Sequence, residues 1–367
     1  MRLIDRYLLR ELLTPLAYCL SGFIIFYAAF DVIFRIAQFQ EAHLQVADVV
    51  KYYVVTMPGV LADYVIPVSL LLALLYALTN HSRYNELIAI RAAGVGIWRL
   101  ATPYLVVGTL LGLVVLAINE TVAPIADERA REIMESHNGA AKDPSLTGRI
   151  RELRSDDGKR DWVIDGGMSR TTGELSQPQV RWIEPEPGAP QRIHAQSATF
   201  SGGEWAFSNA DVWMWGRDQS TIETNYRIKL PETPAWIHSQ IKLMSLSATE
   251  AAKRPQLSIK ELISYLRLHP HLSEDKIAIL VTQLYGRIAA PFTCVAVALI
   301  AFPFGARSGR HNVFVGVASS IFICFSYFIL QRVSFALGTA GYLSPALAAW
   351  LPNLLFGGAG IFLMTRL

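Results

Sequence analysis

Two acidic residues set in apolar surroundings, Asp31 and Asp63, are the first candidates for chemistry, because two close carboxylates can share one proton and act as an aspartyl pair. Both lie toward the outward ends of their apolar stretches, where water can solvate them, and this argues against such a pair. Other reaction types fail on residue identity. A phosphate-cradling Walker loop requires a glycine at fixed spacing before Gly-Lys, followed by Ser or Thr. The only Gly-Lys is Gly158-Lys159, which has Arg160 after it and Leu153 at the required upstream position. No His-Glu-x-x-His occurs, and His269-Pro270-His271 has the wrong spacing for a two-histidine zinc face on a helix, so it reads as loop surface. A Gly-x-Ser-x-Gly elbow is also lacking. The sequence therefore carries no enzyme, metal or cofactor signature, and any energy for work must come from another chain.

The remaining charges of interest sit at the edges of apolar runs. Arg35 follows Asp31 at i,i+4 spacing. It reads either as an interfacial ion pair or snorkelling arginine, or as a cationic rim that grips an anionic headgroup, since guanidinium pairs phosphate bidentately. Arg332, just past another apolar run, is a second candidate. Ser82 to Gly94 reads as a short helix ended by glycine, bearing Arg83, Asn85, Glu86 and Arg91. Its acid and arginines face water or a partner. It is either an ordinary solvated loop helix or the element a partner pushes against.

These residues must be positioned by membrane-spanning elements. Hydrophobic residues make up 52% of the 367 positions and charged ones 17%, with a mean hydropathy of +0.31. The apolar residues crowd into the first 120 positions and the last 80. A span needs roughly 20 apolar residues, and six stretches qualify: Leu12 to Ile36, Val55 to Leu78, Leu100 to Ile118, Ile288 to Phe304, Val313 to Leu330 and Leu343 to Met364. One set of short loops and ends holds Arg2, Arg6, Arg10, Arg83, Arg91, Arg99, Arg307, Arg310 and Arg366; the other holds Lys51 and Arg332, with Arg35 at the mouth of the first span. The positive-inside bias predicts cytoplasmic termini and an outward-facing middle. Leu3, Ile4, Tyr7, Leu8 and Leu12 recur at helical spacing, either as an interfacial amphipathic helix or as the first turns of span one. No cleavable signal peptide is expected. Cys19, Cys294 and Cys324 all lie in apolar runs, so no disulfide framework is expected in the polar middle. The net charge of +3 gives no reason to expect nucleic acid.

The middle opens with a charged helix, Asp127 to Glu132, ending near Asn138-Gly139. Short alternating strands follow: Asp161–Asp165, Gln179–Ile183, Arg192–Phe200 returning through Gly202-Gly203 to Trp205 and Phe207, then Asp211–Trp215 and Thr221–Ile228. Their regular spacing suggests a sandwich or jelly roll, whose apolar face is either a lipid-facing groove or a closed core. Pro231 and Pro234 begin a linker, a helix covers Ser258 to Leu268, and another runs from Ser273 into span four. The expected organisation is residues 1–121 with three spans and the loop helix near 82–94, 122–280 as a periplasmic β-rich insert, and 281–367 with three more spans.

The order of several short motifs resembles the LptF/LptG family, the permease subunits of the lipopolysaccharide export ABC transporter. They are Asp5-Arg6-Tyr7, Asn85-Glu86-Leu87, Ala93-Gly94, Glu120-Thr121-Val122-Ala123-Pro124, Leu257-Ser258-x-x-Glu261-Leu262, Arg287-Ile288-Ala289-x-Pro291 and Phe304-Gly305. The resemblance implies a polytopic α-helical membrane protein, six transmembrane helices arranged three plus three around a periplasmic β-jelly-roll-like domain. It also implies an inner-membrane location and four kinds of partner: a cytoplasmic ABC ATPase dimer, a second LptF/LptG-type permease, periplasmic jelly-roll bridge proteins and lipopolysaccharide. By matching positions, Glu86 falls in the family's ATPase-coupling helix with Asn85, Arg83 and Arg91 around it. Arg35 falls where the family's first helix carries basic residues lining the substrate cavity, Asp31 one turn earlier and Arg332 at similar depth are the further cavity candidates, and the family's lateral gate corresponds to spans one and five. Span one departs from the family in ending on a single Arg35 before Gln38 and Gln40. The Asp5-Arg6-Tyr7 opening leans slightly toward the G-type subunit. A membrane-anchored sensor or scaffold and a secondary transporter are the rival readings; the latter needs mid-membrane carboxylates or broken helices.

Overall fold

The computed structural model describes residues 3–135, 150–169, 172–185, 189–216, 220–247, 257–270, 272, 274–306 and 313–366. Arg2, Arg307, Arg310, His271 and the expected helix end at Asn138-Gly139 lie outside the described residues. The chain divides into two compact units, one of Met1–Asn138, Gln256–Leu262 and Glu274–Leu367, the other of Gly139–Pro255 and Ile263–Ser273.

The first unit contains six helices long and apolar enough to cross a bilayer. The first, α1 (Leu3–Glu41), is unbroken. The amphipathic opening thus belongs to the span itself, with Leu8, Leu12 and Leu16 buried at i,i+4 spacing. The second is built from α2 (Val46–Val60), a π-turn (Leu61–Val65) and α3 (Ile66–Arg83). The Ile66 N–H reaches back five residues to the Leu61 carbonyl immediately before Pro67, which has no N–H to offer. After the short α4 (Glu86–Ala92) come α5 (Ile97–Thr121) and α6 (Ala123–Glu135). The last three spans are α9 (Glu274–Gly305), α10 (Val313–Thr339) and α11 (Pro345–Thr365).

Helix α9 is the hub of this unit, and small residues let its neighbours approach. A side chain at Gly108 or Gly112 of α5 would run into the backbone of Cys294 or Pro291, and one at Gly360 of α11 into the backbone of Leu299. Lipid tails are as apolar as leucine, so this close backbone packing, rather than hydrophobic burial, favours association. One buried polar chain adds specificity. The Thr293 hydroxyl bonds the Tyr327 hydroxyl at 2.9 Å, Tyr327 donates to Asn353 Oδ1 at 2.8 Å, and the Asn353 amide donates to the Ala289 carbonyl at 2.9 Å. It ties α9, α10 and α11 together, and each member is satisfied.

The second unit is a β domain. Its strands are β1 (Ile150–Arg154), β2 (Arg160–Met168), β3 (Leu175–Trp182), β4 (Pro190–His194), β5 (Ser197–Ser201), β6 (Glu204–Met214) and β7 (Thr221–Ile228). All pairings are antiparallel within one sheet, and β4 and β5 share the lane between β3 and β6. The jelly-roll-like insert is thus, among the described residues, a sequentially connected sheet. The expected strand Arg192–Phe200 is kinked at Ala195-Gln196, and the two segments expected at Trp205 and Asp211 are one strand, β6. Gly202 and Gly203, at φ +63 and +87, make the β5–β6 hairpin turn that needs positive φ at both central positions.

The region after Pro231, expected as a linker, is instead helix α7 (Pro234–Ser247). Thr233 caps it by accepting the Trp236 N–H on its hydroxyl at 3.2 Å, and Pro234 occupies the first turn, where a missing N–H costs nothing. Trp236 and Ile237 of this helix join Trp162, Ile164, Val180, Ile193, Trp205 and Phe207 of the sheet in one buried cluster. Trp162 and Trp205, both fully buried, have ring centroids 5.6 Å apart. Among the described residues, the sheet's apolar face is therefore packed as a core.

Helix α8 (Ile259–Leu268) starts with a capping box, in which the Glu261 carboxylate accepts the Ser258 N–H at 2.9 Å and the Ser258 hydroxyl accepts the Glu261 N–H at 3.2 Å. The Ile259 N–H donates to Glu120 Oε2 at 2.9 Å, so two motifs 139 residues apart meet at one helix start. At the other end, His269 is not loop surface. It is 2% exposed, with Nδ1 2.8 Å from Asp156 and Nε2 2.8 Å from the Ser239 hydroxyl. Tyr265, one helical turn earlier, stacks on its ring at 4.0 Å.

Candidate functional site

Two groups of polar residues in the helical unit stand apart from its apolar core. The first gathers at the end of α3. The chain turns at Tyr84 and Asn85, the latter at φ +56, a left-handed conformation that asparagine tolerates better than most residues. Helix α4 then runs to Ala92 and stops in a Schellman motif, with Gly94 N–H to the Arg91 carbonyl at 2.9 Å and Val95 N–H to Ile90 at 3.4 Å. Ser82 and Arg83, expected within the loop helix, are the last residues of α3.

Glu86 opens α4, where a carboxylate complements the helix dipole. It does not point freely outward as the sequence suggested. Its Oε2 accepts a hydrogen bond from the Tyr7 hydroxyl at 3.0 Å and lies 2.7 Å from His81 Nδ1. His81 is 1% exposed and its ring lies 5.6 Å from that of Tyr7. A bond to a carboxylate requires Nδ1 to carry the imidazole proton. Nearby, Arg99 at the start of α5 donates to Asp5 at 2.8 Å. Leu87 fixes α4 by entering the core that holds Leu8, Leu12, Leu78, Leu100 and Tyr104. Arg83, Asn85, Ile88 and Arg91 remain exposed. Together with Trp98, 45% exposed, they form a basic and apolar surface beside a shallow depression of about 570 Å³ lined in part by Arg91, Gly94 and Trp98.

The second group lies at the far end of α1. The Arg35 guanidinium donates from Nε to the Asp31 carboxylate at 3.0 Å, and the Tyr53 hydroxyl donates to the same carboxylate at 2.9 Å. Arg35 also sits 5.9 Å from the Tyr52 ring centroid, within cation–π range. Phe39 packs edge-on against Tyr52 and Tyr53. Asp31 is thus committed to Arg35 and Tyr53 and makes no recorded bond with Asp63. Arg332 of α10 donates to the Tyr64 hydroxyl in the π-turn at 3.0 Å. The sequence singled out Asp31, Arg35 and Arg332, but Tyr53 and Tyr64 had no local pattern to mark them.

Between these groups α1 is almost bare. Only 6% of its most apolar stretch is buried within the unit, against 22% for α10 and 61% for both the second span and α9. Tyr18, Ile25, Phe26, Ile33 and Phe34 are all more than half exposed, as are Phe322, Phe325 and Ile329 of α10. Such continuous apolar faces demand lipid or a partner. Spans one and five are therefore the least buried of the six among the described residues; α1 is tied to the second span through Asp31 and Tyr53, and α10 through Arg332 and Tyr64 as well as to α9 and α11 through Tyr327.

A comparison with curated proteins found no match. The family model described as lipopolysaccharide export system permease LptF/LptG matches residues 6–366, which include both polar groups, all six spans and the β domain. The chain belongs to the LptF/LptG family of lipopolysaccharide export permeases.

Proposed function

We propose that this permease works by mechanical coupling. An ABC ATPase dimer on the cytoplasmic side, bound to this subunit and to a second LptF/LptG-type permease, displaces α4 when it closes on ATP. The movement narrows the space beside spans one and five and drives lipopolysaccharide from the inner membrane toward periplasmic jelly-roll bridge proteins. In this reading the termini are cytoplasmic and the β domain periplasmic, as the arginine distribution favours.

The observation that carries the reading is the contrast in burial: 6% for the central stretch of α1 against 61% for α9. A helix stretch buried so little can move without rebuilding a core. Arg35 and Arg332 would meet the anionic headgroup at the outer end. A phosphate can replace Asp31 as the partner of the Arg35 fork, because both offer bidentate oxygens. Arg83, Asn85 and Arg91, exposed around Glu86, would contact the ATPase.

The test is Glu86→Arg in the full exporter reconstituted into lipopolysaccharide-containing vesicles. The expected result is ATP hydrolysis without release of lipopolysaccharide. Normal release by that variant overturns the coupling role.

A further inference from the structure

We propose that Tyr7 and His81 are positioning residues that hold Glu86 of α4 between them, Tyr7 clamping it to the foot of α1 and His81 to the end of α3, so that the coupling helix and the foot of the first span move as one body. The proposal rests on the coupling role of α4 given above and names how the movement leaves it.

Besides the packing of Leu87 in the core, a push on α4 has two routes into the bundle. One is the backbone into α3, and this route bends at the Tyr84-Asn85 turn, where the chain leaves helical geometry. The other is the Glu86 carboxylate, which receives the Tyr7 hydroxyl at 3.0 Å and faces His81 Nδ1 at 2.7 Å. A carboxylate accepting two charge-assisted bonds from two different helices resists pivoting in either direction. The Asp5–Arg99 bond at 2.8 Å fastens the same end of α1 to the start of α5, just after the loop that carries α4. Both arms of the loop are thereby tied to the first two turns of span one. Leu8, Leu12 and Leu16 seat those turns in the core, whereas Tyr18, Ile25 and Ile33 beyond them are exposed at 74%, 69% and 66%.

Helix α1 is therefore a lever, gripped at its foot and bare along its shaft. At 1.5 Å per residue, a tilt of about 5° at Tyr7 displaces Asp31 by roughly 3 Å, about the length of the bond it accepts from Tyr53 of α2. A small step at α4 becomes, at the far end, a displacement large enough to break the Asp31–Tyr53 bond between α1 and α2.

The experiment uses the complete exporter, with its ATPase and second permease, in vesicles containing lipopolysaccharide. Tyr7→Phe removes one hydroxyl and keeps the ring. His81→Ala removes the Nδ1 donor, and His81→Asn restores a donor near the same place. Co-purified ATPase and hydrolysis rate should stay near wild type. Lipopolysaccharide released per ATP should fall about tenfold in Tyr7→Phe and His81→Ala, as expected for the loss of one bond to a charged group, and recover in His81→Asn. Spin labels at Leu13 and Ile88 should give one narrow distance in the parent and a broadened one in Tyr7→Phe. An unchanged release ratio in Tyr7→Phe overturns the clamp, as does a parallel fall in hydrolysis and release, which is the signature of damaged assembly. If Glu86→Arg uncouples while Tyr7→Phe and His81→Ala behave as wild type, the clamp fails and the coupling role stands. If Glu86→Arg exports normally, both fail.

Discussion

Tyr53→Phe isolates the outer restraint on α1. The substitution removes the hydroxyl that donates to Asp31 at 2.9 Å and nothing else, because the ring contacts with Phe39 and Tyr52, at centroid distances of 6.3 and 5.4 Å, need only the aromatic carbons. A hydrogen bond to a charged group contributes about 1.5–3 kcal/mol. The Asp31 side chain is 16% exposed and that of Arg35 28%, so water competes and the lower end applies, about 1.5 kcal/mol. This is roughly a tenfold shift in the equilibrium between a held and a released α1. The assay is a spin-label distance between Ile33 on α1 and Val50 on α2, 66% and 57% exposed, in full-length protein with Cys19, Cys294 and Cys324 replaced. A released population of about 1% would rise to about 10%, which the distance distribution resolves. If the distribution does not change, Asp31 and Tyr53 do not restrain the helix, and the lever loses its outer catch.

Arg35→Glu should weaken photocrosslinking of lipopolysaccharide to span one by about tenfold, since the proposed guanidinium–phosphate pair is replaced by like charges; equal crosslinking would confine Arg35 to its ion pair with Asp31. Gly112→Ala should lower the stability of the detergent-solubilised protein by about 1–3 kcal/mol, because the new methyl meets the Pro291 carbonyl, which as backbone cannot swing away. Gly358→Ala, with open space around it, is the matched control, and equal melting of the two variants would contradict close α5–α9 packing. In the β domain, burial raises the Glu232 carboxyl above its ordinary value of 4.5, with Arg160 opposing only in part. A raised carboxyl holds its proton more tightly folded than unfolded. Its contribution to stability is therefore fully present below about pH 4.5 and is lost as pH rises through the raised value. Glu232→Gln should flatten that decline, followed by protease sensitivity of the β domain within the whole protein, and an identical slope would exclude Glu232 as its source.

The sequence made the spans legible because bilayer thickness acts on each run of residues locally. It made the Gly202-Gly203 hairpin legible because only glycine meets its φ demand cheaply. What it hid was long-range. Tyr7 and Glu86 are 79 positions apart, and His81 is a single polar residue at the end of an apolar helix, so neither carries a periodic signal. Glu86 itself was found, but with the wrong surroundings, because an acid at a helix start reads as solvated unless its partners are known. Strand β1 escaped notice because charges interrupt its alternation and its pairing with β2 is irregular between Ile150 and Leu153. Helix α7 was obscured by two prolines that read as a linker, although Pro234 stands where a helix accepts proline. His269 was misread for a related reason: a histidine beside proline looks like loop, and its burial depends on Asp156 and Ser239, far along the chain.

The most direct test of the mechanical account is site-specific photocrosslinking from Phe34 on the bare face of α1, in the assembled exporter with lipopolysaccharide present. The account predicts strong crosslinking before ATP is added and its loss once ATP binds and the ATPase closes. Crosslinking that is absent from the start, or that persists unchanged through ATP turnover, would contradict it.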